Sequence, residues 1–152
     1  MPLHKKDFPP LNPNENQIRT VSRFLLDDVF LFPFKKEEPR KSLIRNFNLL
    51  LDELETTKAP VEIWLNGSFA TLKEDPEDID LFLIFDRDTF RKKANKLAVF
   101  LDRDFCRSRY SCDLYWSFRD ENNNVESFRK DFTTQHVNRK PKGFFRIFLN
   151  AA

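Results

Sequence analysis

Residues 79–85, IDLFLIF, constrain the chain more than any other stretch. Past its first two positions the run is continuously apolar, and a short apolar run bounded by polar turns reads as a strand buried on both faces. Such a strand needs cover above and below. With 152 residues, 40% of them hydrophobic and eighteen of them phenylalanine, the chain has bulky material for one core and too little length for two full domains. The expected fold is α/β (α+β), a small mixed sheet with helices packed on it, in a single domain over 1–152.

The flanking sequence supplies the other elements. Residues 1–15 hold four of the nine prolines and read as an extended arm. N-terminal helices are expected within 16–58. Ile18, Val21, Leu25 and Val29 recur at helical spacing, FPFKKEEPR interrupts, and Leu43, Phe47, Leu50 and Leu54 resume until Ala59-Pro60. In the core, 59–118, VEIWLN alternates like a strand, SFATLK suits a short helix, and EDPED is a loop. A helix after an Asp88 cap is expected through DTFRKKANKLAVFLDRDF, with Phe90, Ala94, Leu97 and Leu101 on one side, and SCDLYWSF is a third strand. In the extension, 119–152, RDENNNVES reads as a polar turn, SFRKDFTTQH fits more than one state, and GFFRIFL closes as a strand after the basic NRKPK.

Composition excludes several classes of function. A formal net charge of +2 gives no strong steering of the whole molecule, so an anion site has to be local. Cys106 and Cys112 lack the spacing of paired zinc or redox cysteines and fit a reducing compartment. No apolar run approaches the length that spans a bilayer, so a cytoplasmic protein without a membrane partner is expected.

Chemistry concentrates in GSFATLKEDPEDID. Side chains on a strand alternate, so Asp78 and Asp80 point to the same side, and paired carboxylates in a partly buried place call for a proton or a hard cation such as magnesium. Gly67, one of only two glycines, ends the preceding strand. A turn without a side chain lets backbone approach a phosphate, and Ser68 adds a hydroxyl donor. Asp113, between apolar neighbours in CDLYW, is the best candidate for a third acid on the same metal face, as metal ligand or general base.

Gly-Ser, nine residues and then DxD ahead of an apolar strand resembles the pattern of the DNA polymerase β-like nucleotidyltransferase superfamily. The stretch 63–85 is also similar to a small prokaryotic branch of it. The resemblance implies Gly67 and Ser68 for the triphosphate of an NTP, Asp78 and Asp80 for two magnesium ions (manganese as a substitute), and Asp113 for metal or base. It implies transfer of NMP to a hydroxyl of protein, RNA or a nucleotide. Compact members include minimal nucleotidyltransferases paired with ribonuclease toxins, some of which modify their partner with AMP. A non-catalytic binding or regulatory protein on the same fold is the alternative.

Arg139, Lys140, Lys142 and Arg146 interleave with aromatics in NRKPKGFFR and suit a triphosphate or an RNA backbone; the first three complete the expected nucleotide site. RNA binding through this loop without catalysis is a third reading. Glu74, Asp75 and Glu77 read as solvated loop charges, and His4 and His136 stand isolated from other ligand residues. Arg91, Lys92, Lys93 and Lys96 make the polar face of a helix, and Trp64, Tyr115 and the phenylalanines read as packing residues.

Overall fold

In the computed structural model, which describes residues 7–15, 17–135 and 137–150, five strands form one mixed sheet in the order β1-β5-β2-β3-β4. They are β1 (Ile18–Thr20), β2 (Val61–Asn66), β3 (Ile79–Phe85), β4 (Cys112–Phe118) and β5 (Phe144–Leu149). β2 runs antiparallel to β3 and β5, whereas β3–β4 and β1–β5 are parallel. The apolar run is β3, buried at every position but Asp80. Parallel β3 and β4 require a crossover, supplied by α3 (Arg87–Lys92), α4 (Ala94–Leu97) and α5 (Arg103–Tyr110).

Helices cover both faces of the sheet. Before β2, α1 (Leu26–Phe30) leads to α2 (Arg40–Thr56), whose stripe of Leu43, Phe47, Leu50 and Leu54 packs in one core with Ile63, Leu81 and Leu83 of the sheet and Leu97, Phe100 and Tyr110 of the crossover. On the opposite face, α6 (Asn122–Phe132) brings Val125, Phe128 and Phe132 onto Trp64, Phe82, Ile84 and Phe144. Phe82 and Phe128 stack with ring centroids 4.2 Å apart. Trp64 and the phenylalanines of this face are core residues, as expected. Both cysteines are unpaired and buried. Among the described residues no helix is long and apolar enough to cross a membrane.

Three local expectations are overturned, and the arm gains a docking surface. The helix expected over 17–30 is a strand, a 3-10 turn (Arg23–Leu25) and the short α1, because Ile18–Thr20 pairs with Phe144–Arg146 and sheet pairing outweighs the helical spacing. The helix expected after Asp88 is broken into segments, and the capping carboxylate is Asp86, which accepts from Thr89 N–H at 3.0 Å. RDENNNVES is not a turn throughout, since α6 starts within it at Asn122 and carries on to Phe132, into the segment that fitted more than one state. The described part of the arm is docked: Leu11 N–H donates to Ala70 C=O, Leu72 N–H donates to Pro9 C=O, and Asn12 is buried.

Candidate metal and phosphate site

β2 ends where β3 and β4 begin, and the site lies at this end of the sheet. Asn66 pairs with Asp80 across the antiparallel register, and Asp80 pairs with Asp113 across the parallel one. Asp78 immediately precedes β3 and joins them from the loop. Each of the three acids offers an oxygen within 4.8 Å of the others, and all three are half-buried. At its usual bond length two oxygens on one magnesium ion stand about 3.0 Å apart when adjacent and about 4.2 Å apart when opposite, so the three side chains would draw closer to share one ion. In number and donor chemistry these residues fit the group that the sequence pattern implies.

Gly67 explains its own presence here. Its φ of 74° and ψ of −166° belong to a region that side chains rarely enter, and a Cβ at this position would lie 2.0 Å from Oδ2 of Asp80. The glycine and the carboxylate are therefore neighbours that exclude any side chain between them. After it comes a single 3-10 turn, Ser68–Ala70, in place of the short helix expected. Ser68 C=O accepts from both N–H and Oγ1 of Thr71, which sets the direction in which the loop leaves.

Arg40 holds that loop from behind. Completely buried at the start of α2, its guanidinium donates to the carbonyls of Phe30, Phe69, Thr71 and Lys73 at 2.7–3.1 Å and lies over the Phe34 ring. Burial pushes it down to about 10, with Glu74 pulling the other way. Contrary to the expectation of a solvated charge, Glu74 is half-buried and turns Oε2 inward without a hydrogen-bond partner; Asp75 and Glu77 do face water.

The electrostatics of the acids are uneven. Burial, and then the neighbouring Asp113, raise the Asp78 carboxyl above the ordinary aspartate range, with Arg107 and Lys73 opposing. Asp113 is claimed by two cations of α5: Arg103 Nη2 donates to its Oδ1 at 2.7 Å, and Arg107 Nη2 stands 3.0 Å from the same atom. Arg103 also donates to the Tyr115 hydroxyl at 3.0 Å and lies 4.3 Å over its ring. An open depression of ≈340 Å³ lies against Asp102, Arg103, Asp104 and Arg107.

Of the expected basic residues, Lys142 reaches the site. It is 7% exposed and donates to Asn66 Oδ1. Desolvation holds its ammonium down to about 8, against the opposing pull of Asp80 and Asp7. Arg139 and Lys140 lie in the exposed loop before it, apart from the three acids among the described contacts. Arg146 turns to Thr20 and Glu62 instead. His4 and His136 lie outside the described residues. Sequence reasoning missed Arg103 and Arg107, although their spacing of four puts both on one helix face. It missed Arg40 for want of any signal, because an arginine after a proline at a helix start reads as solvated.

Residues 9–148 match the family model described as "Family of unknown function (DUF6932)". No curated protein and no solved structure matches the chain.

Proposed function

The chain belongs to the DUF6932 family, and for it we propose magnesium-dependent nucleotidyl transfer: NMP moves from an NTP to a hydroxyl of protein, RNA or a nucleotide, and pyrophosphate leaves. The observation that carries this reading is the convergence of Asp78, Asp80 and Asp113 beside a glycine turn closed to any side chain. Magnesium, or manganese in its place, held by Asp78 and Asp80 with Asp113, would offset the triphosphate's charge and polarise its phosphoryl oxygens.

The chain's own groups have separate tasks. Gly67 leaves backbone open to a phosphate, and Ser68 adds a hydroxyl. Lys142 works from beneath through Asn66 and through its field at Asp80. Asp113 takes the acceptor's proton as the acceptor oxygen bonds to the α-phosphorus and the bond from that phosphorus to the α–β bridging oxygen breaks. The test is label transfer from each NTP with magnesium, with and without cell extract. Transfer is expected from the native chain and is expected to vanish in Asp78→Asn and Asp80→Asn; undiminished transfer in those variants overturns the reading.

A second reading, a binding or regulatory protein without transfer, is favoured by one observation: two guanidiniums occupy one of the two Asp113 carboxylate oxygens. NTP and metal binding without transfer to any acceptor decides for it. If neither binds, and RNA affinity falls steeply with salt and in Lys140→Ala, the basic loop is the functional surface instead.

A further inference from the structure

We propose that Arg103 and Arg107 hold a cation's place at Asp113 and give it up to a polyphosphate, so that the site takes up metal together with a polyphosphate and resists metal alone. This rests on the nucleotidyl-transfer reading of the same site. Both guanidiniums converge on a single oxygen, Asp113 Oδ1, which leaves little room for a divalent ion at that atom while they remain. Their side chains are 48% and 56% exposed, against 17% for Asp113, so the partners are long, solvated arms around a sheltered acid.

Charge balance points the same way. Arg103, Arg107, Lys142 and Lys73 already bring positive charge to the three carboxylates without metal. A divalent ion added alone meets that positive charge. A polyphosphate arriving with the ion offsets it, and planar guanidiniums suit phosphate oxygens through paired hydrogen bonds. Arg103 turns on Tyr115, whose hydroxyl and ring hold it next to the acid in the meantime.

The experiment uses the full chain, free of nucleotide, in equilibrium dialysis against manganese alone and against a preformed one-to-one manganese–tripolyphosphate complex. Native protein is compared with Arg103→Gln/Arg107→Gln and Asp80→Asn, each checked for an unchanged thermal transition. The native chain is expected to bind the complex at least ~10-fold more tightly than manganese alone. The double variant is expected to bind manganese alone ~3–10-fold more tightly than the native chain, and the complex more weakly, because exposed ion pairs of this kind compete modestly with a divalent ion. Manganese affinity equal in the native chain and the double variant overturns this inference and leaves the transfer reading standing. Absence of binding in either form by native protein, with Asp80→Asn indistinguishable from it, overturns both.

Discussion

Two charged centres flank the loop between β2 and β3, and they are built on opposite plans. Behind the loop, Arg40 is wholly enclosed, its two Nη groups donating to four fixed backbone carbonyls while its Nε is buried without a hydrogen-bond partner. In front of it, Asp78, Asp80 and Asp113 are half-buried, and Asp113 is paired to arginines whose arms reach into solvent. Charge held by backbone cannot be exchanged without unfolding the loop. Charge held by exposed side chains can, at small cost, because such pairs contribute little to stability. The difference separates a structural cation from anions set up to receive something.

Breaking the rear centre should have the largest effect. Arg40→Met leaves four carbonyls without their donor in an apolar setting and is expected to cost on the order of 3–5 kcal/mol in urea unfolding. Gly67→Ala strikes the boundary between the centres. It forces a strained backbone and drives a methyl into Asp80, with an expected cost of about 1–3 kcal/mol and a loss of transfer or metal binding of ~100-fold or more. Retention of full metal binding by Gly67→Ala would show that Asp80 is not held where the site needs it.

Smaller effects sharpen the contrast from the front. Because burial lowers Lys142 to about 8, its charged form opposes folding at neutral pH. Its contribution to stability is therefore expected to improve as pH rises from about 8 toward the ordinary lysine value of about 10.4, and this rise should be absent in Lys142→Met. Guanidinium unfolding at a series of pH values measures it. Asp78 behaves in the opposite chemical sense with the same logic. Its raised value means that the ionised carboxyl opposes folding, so Asp78→Asn should raise the Tm at neutral pH while abolishing metal binding. That advantage should fade as pH falls toward the ordinary aspartate value of about 3.9, where the native carboxyl is protonated as well.

The fold was legible where one local signal coincided with burial. β3 is a continuous apolar run, and α2 is a long apolar stripe, so both announce themselves. β1 does not: three residues acquire strand structure only because β5, more than a hundred positions away, offers an edge, and no local period carries that information. The same division runs through the site. Gly67, Asp78, Asp80 and Asp113 belong to residue patterns that chemistry demands, and the structure brings them together. Lys142 was visible as a basic residue, but its burial beneath Asn66 follows from the return of β5 beside β2. Arg103 and Arg107 depend on where the crossover sets α5 down. Glu53 fixes that helix to α2 through Arg109 and Tyr110, a contact between residues more than fifty apart.

The central claim is that the three aspartates form a site for a divalent cation and a polyphosphate. Crystals grown with manganese and a non-hydrolysable NTP analogue test it most directly, through the anomalous scattering of the metal. The account predicts a peak bonded to carboxylate oxygens of both Asp78 and Asp80, with the analogue's phosphates against the Gly67-Ser68 turn. A fully bound analogue elsewhere on the molecule, or a site between these acids that stays without a peak at saturating manganese and analogue, would contradict it.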